Sequence, residues 1–175
     1  AAKMCFLSSA VYPASALGSA VHADAICQEL AAASGLDNPA GFMAWISDGV
    51  SSPAKRFTPS KIPYVLPDGR RVAHSFAHLV TAGPSIGITR TETGEELLKE
   101  LVWTGTNKLG ELAEPPLHCA AWTSDSFQEK ALLGRSGVDK ELDWEQWDLW
   151  KSDRQWTSFT SKGRHHPARL YCFEQ

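Results

Sequence analysis

Apolar residues in this sequence fall in short runs cut by glycine, proline and small polar residues, and one early stretch breaks that rule. Met4-Cys5-Phe6-Leu7, followed by Ser8-Ser9, reads as a strand within Lys3–Ser9. Tyr12 to Ser19, with Pro13 and Gly18, reads as a loop. From about Ser19 to Ser34 the spacing predicts a helix, with Ser19 as N-cap, Asp24 toward the positive end and Gly35 at the C′ position. Val21, Ala25, Ile26, Cys27, Leu30 and Ala33 form its expected buried side. Phe42 to Ile46, closed by Ser47-Asp48-Gly49, is either a buried strand or a tight helical turn.

Pro53, Pro59, Pro63 and Pro67 forbid a long helix in the middle of the chain. Tyr64-Val65-Leu66 and Arg70-Arg71-Val72 flank Asp68-Gly69 and predict a hairpin. Ser75 to Leu79 suits a short second helix. Further strands are expected at Ile86–Thr89 before a Thr93-Gly94-Glu95 turn, at Leu101–Thr106, at Ala120–Thr123, and, after Trp156-Thr157-Ser158, at Arg169–Phe173. The order is a helix or two and then mostly short strands, which is α+β and not the alternation of a βαβ protein. Residues 1–175 read as one domain.

Composition narrows the function classes. A hydrophobic content of 43% supports a real core, and a net charge of −3 with interspersed signs gives no footprint for nucleic acid. No apolar run approaches the roughly 20 residues of a membrane helix, so membrane insertion of this domain is not expected. Of the tryptophans, Trp45, Trp103, Trp122 and Trp156 are scattered and suit a core, whereas Trp144, Trp147 and Trp150 are bunched. The 4 cysteines, Cys5, Cys27, Cys119 and Cys172, lack CxxC spacing and allow three pairings, so no zinc knuckle is indicated.

Several of these segments, taken in order, resemble a known family. They are Phe6-Leu7-Ser8-Ser9, Ala23-Asp24-Ala25-Ile26-Cys27, Ala44-Trp45-Ile46-Ser47-Asp48, Pro63-Tyr64-Val65-Leu66 with Asp68-Gly69, Val102-Trp103-Thr104-Gly105-Thr106, Cys119-Ala120-Ala121-Trp122-Thr123-Ser124 and Leu170-Tyr171-Cys172-Phe173-Glu174-Gln175. Together they are similar to the bacterial endostatin-like domain of leptospiral surface proteins and, more distantly, to collagen-derived endostatin. The resemblance implies a C-type-lectin-like fold of small twisted antiparallel sheets with one or two helices and termini close together. It also implies a Cys27–Cys172 disulfide, whose long loop would contribute roughly 5 kcal/mol as an upper figure. The family's second bridge has no partner for Cys119, since Lys162-Gly163-Arg164-His165-His166 holds no cysteine. Cys5 and Cys119 are either paired with each other or both reduced and buried. Gly18-Ser19-Ala20-Val21-His22 lacks the arginines of a heparin site, and Ala1-Ala2-Lys3 lacks the histidines of endostatin's zinc site. Heparin is therefore not an expected partner.

Candidate chemistry concentrates in Asp139–Trp156. Trp144, Trp147 and Trp150 recur at a three-residue spacing, which on a helical turn gathers indoles near one face. Beside them Asp143, Glu145 and Asp148 could bond sugar hydroxyls, so these six residues form the candidate ligand-binding set. The competing reading has the indoles pin a long segment to the body. Calcium-dependent sugar binding in the usual lectin mode is not expected, since Glu114-Pro115-Pro116 and Trp122-Thr123-Ser124 lack the ligand asparagines and aspartates. His74 and His78 have i, i+4 spacing without a third ligand, and His165-His166 would face opposite sides of a strand, so neither a metal nor any other cofactor is assigned. No GxSxG, P-loop or Cys-His pair of known type marks a catalytic residue.

The expected function is an extracytoplasmic module, secreted or held at a cell surface or in the periplasm as a mature chain without its signal peptide. It would recognise an extracellular protein or glycan through Asp139–Asp153, helped by residues near Asn107–Leu117. The alternatives are a structural or oligomerisation module and, last, an enzyme on a lectin-like fold.

Overall fold

The computed structural model describes residues 1–116, 122, 130–137, 155–163 and 165–175. Its strands are β1 (Lys3–Leu7), β2 (Phe42–Ala44), β3 (Tyr64–Val65), β4 (Arg71–Ala73), β5 (Leu101–Trp103), β6 (Lys130–Arg135), β7 (Thr160–Gly163) and β8 (Tyr171–Glu174). The helices are α1 (Ala20–Ala33), α2 (Pro53–Arg56) and α3 (Phe76–Ala82), with 3-10 turns at Ala14–Ala16 and Pro39–Gly41. A 5-stranded sheet has the order β2-β8-β1-β3-β4, and a 3-stranded sheet the order β5-β6-β7. The molecule is thus α+β with two small sheets.

Strand β1 is buried on both faces, which is why its sequence is a continuous apolar run. Side chains of successive residues point to opposite faces. Phe6 and Cys172 therefore join α1 in one core cluster, while Cys5, Leu7, Tyr171 and Phe173 join Trp45 and Trp156 in the other. Trp45, Trp103, Trp122 and Trp156 are all buried, as their scatter suggested. β1 and β8 pair antiparallel with Cys5 opposite Phe173, so the two ends of the described chain meet. The expectation of antiparallel sheets needs one correction: β1 and β3 run parallel, Lys3 opposite Tyr64. Parallel pairing needs a long crossover, and α1, β2 and α2 supply it.

Helix α1 begins where the sequence placed it. The Ser19 hydroxyl accepts from His22 N, and Gly35 follows the C-cap at φ 69. Its buried side differs from expectation: Ala20, Ala23, Asp24, Cys27 and Ala31 are buried, while Val21 is 70% exposed and Ala33 is exposed too. The helix lies close to the sheet, so small residues occupy the contact line. The Cys27–Cys172 disulfide crosses that contact with a Cα–Cα distance of 5.6 Å. Cys5 is buried and unpaired on the opposite sheet face, and burial pushes its thiol well above the ordinary range. Its partner-free state agrees with the reduced, buried alternative; Cys119 lies outside the described residues.

Other boundaries moved. Phe42–Ala44 is a strand and not a helical turn. Ser75 caps α3 through its hydroxyl and His78 N, which leaves His74 ahead of the helix. His165 and His166 lie in a turn after β7, so they do not flank a strand. Ile86–Thr89 is not a strand; the chain instead makes single bridges, Arg90 with Glu96 and Leu7 with Thr91. Of Ala120–Thr123 only Trp122 is described, and its φ of 69 excludes extended backbone there. β6 and β7 had no sequence signal. Lys130-Ala131-Leu132-Leu133-Gly134-Arg135 holds no β-branched residue, and β7 is polar throughout.

Candidate ligand-binding pocket

The predicted binding residues Asp143, Trp144, Glu145, Trp147, Asp148 and Trp150 lie outside the described residues. Their flanks are described. Arg135, at the end of β6, bonds Gln155 twice, by its backbone N to Gln155 O at 2.9 Å and by its guanidinium to Gln155 Oε1 at 2.7 Å. Arg135 and Gln155 therefore lie side by side at the small sheet. The neighbouring prediction, that residues near Asn107–Leu117 take part in binding, meets a described cavity.

That cavity has a volume of about 300 Å³ and lies between the turn after β2, helix α2 and the 107–112 loop. Asp48, Ser51 and Ser52 contribute from the turn, Lys55 from α2, and Glu111 and Leu112 from the loop. Val50 stands at its mouth with 82% of its surface exposed.

Each wall is fixed by its own hydrogen bonds. In the turn, Asp48 Oδ1 accepts from Val50 N at 2.9 Å and Ser51 N at 2.8 Å, while Oδ2 accepts from Ala20 N at 3.0 Å. The same carboxylate thus closes the turn and binds the first N–H of α1, a buried donor with no partner inside the helix. Burial alone would raise the Asp48 carboxyl, but the N–H bonds from Val50, Ala20 and Ser51 and the charge of Arg56 outweigh it and leave it below the ordinary carboxylate range. With its oxygens committed in this way, Asp48 is a framework residue and a poor ligand donor.

Arg56, at the last position of α2, anchors the second wall. It bonds Asp24 through Nε at 3.0 Å and NH2 at 3.1 Å, Ala44 O at 2.6 Å, Ile46 O at 3.2 Å and Ser51 Oγ at 3.1 Å. Asp24 also accepts from Ala44 N at 2.8 Å, and Gln28 Nε2 donates to Phe42 O at 3.2 Å. The open edge of β2 is thereby covered by side chains of α1 and α2. Burial raises the Asp24 carboxyl further than Arg56 and the Ala44 N–H lower it.

The third wall is a tight loop built on Asn107. Its Oδ1 accepts from Leu109 N at 2.9 Å and Glu111 N at 3.1 Å, and its backbone N donates to Glu111 O at 2.9 Å. Gly110 has φ 77 and accepts from Ala54 N at 2.7 Å, which joins this loop to α2. Behind the pocket a buried hydroxyl cluster ties the walls to the core. Ser47 Oγ and Thr106 Oγ1 are 2.8 Å apart, Thr157 Oγ1 donates to Thr106 O at 2.9 Å, Trp45 Nε1 donates to Thr157 Oγ1 at 2.8 Å, and Trp122 Nε1 donates to Ser47 O at 2.8 Å.

Lys55 and Glu111 have a different character from these framework groups. Both are exposed, and the ion pairs of the described residues involve other side chains. The cavity therefore presents a cation from α2, an anion from the loop, two serines from the turn, and Val50 with Leu112 as apolar surface. This set can bind and orient a ligand. Sequence reasoning missed Val50, Ser51, Ser52 and Lys55, because their juxtaposition with Glu111 comes from packing of distant segments. The only local signal was the Ser47-Asp48-Gly49 turn beside Pro53.

His74 and His78 do come together, with ring centroids 5.0 Å apart, and His74 Nδ1 is 3.2 Å from Arg71 NH1. Among the described residues no group of three or more His, Cys, Asp or Glu side chains could hold a metal ion. Among the described residues no helix is long and apolar enough to cross a membrane. Comparison of the sequence with protein-family models and with curated proteins gave no match.

Proposed function

We propose that this chain is an extracytoplasmic binding module that recognises an extracellular protein or glycan, built on a C-type-lectin-like fold of the endostatin-like kind. The observation that carries the reading is the buried Cys27–Cys172 bridge between α1 and β8. Structural disulfides persist in oxidising compartments, which favours a secreted, periplasmic or cell-surface location. The ordered sequence motifs, the α+β architecture and the meeting of the terminal strands support the fold assignment. The preformed pocket, with polar and apolar groups in one lining, supports a binding role.

In this reading the Trp144–Trp150 segment supplies aromatic contact area and the pocket supplies polar selectivity. The test is capture of the purified protein on a glycan array and an extracellular-matrix panel, without reductant. Trp144→Ala/Trp147→Ala should weaken capture at least about tenfold, the weight of an aromatic hot spot, with an unchanged melting temperature. Loss of folding in that variant would assign the indoles to packing. Failure of the parent protein to bind anything on either surface would overturn the proposal.

A further inference from the structure

We infer that the pocket between the 48–52 turn, α2 and the 107–112 loop takes a dipolar peptide: a short peptide with a free ammonium group at one end, a free carboxylate at the other and an apolar side chain. This deepens the binding role proposed above and rests on it. Three observations point to this chemistry. First, the pocket holds two opposite charges, Lys55 and Glu111, on different walls, and neither belongs to an ion pair of the described residues. A ligand of one sign would be drawn to one wall and repelled by the other. A ligand with both signs satisfies the two together, which is the electrostatic complementarity that gives specificity. Second, Val50 and Leu112 provide apolar surface in the same cavity, and Val50 is the most exposed of the large hydrophobic residues among those described, at 82%. The aliphatic side chain of such a peptide would lie against them. Third, about 300 Å³ is at the small end of ligand cavities and suits a dipeptide-sized group.

The walls are rigid before any ligand arrives. Asp48 and Asn107 close their own turns, Arg56 binds the α2 wall to β2 and α1, and Ala54 N bonds Gly110 O. Binding therefore needs little reordering of backbone, and the affinity available from a small ligand is not consumed by it. Neutral sugars fit less well: among the described residues the lining holds no aromatic ring to stack on a sugar face.

The probe is the dipeptide Ala-Leu with free ends, compared with its N-acetyl, C-amide and doubly blocked forms, by amide NMR titration of the intact oxidised protein. The free dipeptide should shift the amide signals of Val50–Lys55 and Glu111–Leu112 in a saturable way. Blocking either end should weaken binding about two- to fivefold, the range for a solvent-exposed charge pair, and added salt should reduce the difference. Lys55→Ala should abolish the effect of blocking the carboxylate and leave that of blocking the amine, and Glu111→Ala should do the reverse. Equal binding of the four forms, saturable shifts with a neutral disaccharide instead, or no saturable shift at these residues would overturn the inference. The two readings separate cleanly. Matrix or glycan capture that survives Lys55→Ala/Glu111→Ala keeps the binding module and removes this pocket. Dipeptide binding without capture of any macromolecule keeps the pocket and removes the module's proposed role.

Discussion

Arg56 shows how much a single side chain can decide. Its side chain is 11% exposed and pairs with an Asp24 side chain that is 8% exposed, and it also bonds Ala44 O, Ile46 O and Ser51 Oγ. Arg56→Ala would leave a buried carboxylate without its charged partner and the Ile46 carbonyl without the Arg56 donor, while Ala44 O would keep only the Ile46 N–H. The expected loss is about 3–5 kcal/mol in urea unfolding, with Lys at this position recovering part of the charge and little of the fork geometry. Asp48 makes a different prediction, about pH. Its folded-state carboxyl titrates below the ordinary value near 3.8, so its stabilisation is complete above the unfolded value and is lost as pH falls through the folded one. Asp48→Asn should lower stability at neutral pH and flatten its fall below about pH 4. The difference between the two curves reports Asp48 together with its effect on Asp24, whose raised carboxyl is pushed up in part by the Asp48 charge. Parallel curves would mean that Asp48 contributes by shape alone.

Among the elements, β6 is the clearest case of structure overruling local preference. Gly134 sits next to the end of the strand opposite Val102, in a position where a Cβ would stand 2.0 Å from Trp156 O. The chain after the Trp-rich segment crosses β6 so closely that only hydrogen fits. Gly134→Ala should cost about 3 kcal/mol or more, as overpacking against backbone cannot relax easily. Gly163→Ala, at the end of β7 with nothing within 4 Å, should change stability by less than about 0.5 kcal/mol. Urea midpoints of the two variants compare the sites directly. Helix α1 lies at the other extreme. Its caps are local chemistry and were legible, whereas its buried side was not, because alanine fits either face and only the approach of the sheet selects among them.

At the scale of the molecule, the bridge between Cys27 and Cys172 ties the first long helix to the last strand across 145 positions of sequence. Opening it by Cys27→Ala/Cys172→Ala should destabilise the fold by about 2–5 kcal/mol, read as a lower urea midpoint. Alkylation adds a positional test. Cys5 should resist iodoacetamide in the folded protein and react after unfolding without reductant, while Cys27 and Cys172 should react only once reductant is present. Modification of Cys27 without reductant would remove the bridge, and with it the argument for an oxidising location. The Asp68–Arg70–Glu96–Arg90 ion cluster, which links the β3–β4 hairpin to the Thr91–Glu95 turn, is half-exposed and adds little beside these terms.

The sequence by itself determined the pieces whose physics is local. Ser19 and Ser75 carry cap hydroxyls, Gly35 supplies a left-handed backbone, Asp68-Gly69 closes a hairpin, and the doubly buried strands β1 and β8 announce themselves as apolar runs. The mixed class and the burial of the scattered tryptophans follow from the same signals. Tertiary structure decided what depends on approach between distant segments: the parallel pairing of β1 with β3, the glycine at the crossing over β6, the shared Arg56 clamp, and a pocket assembled from residues near 50 and near 111. A hydrogen-bonded cap needs only its neighbours along the chain, whereas a cavity with opposite charges on its walls exists only after separate elements have packed and left the space between them.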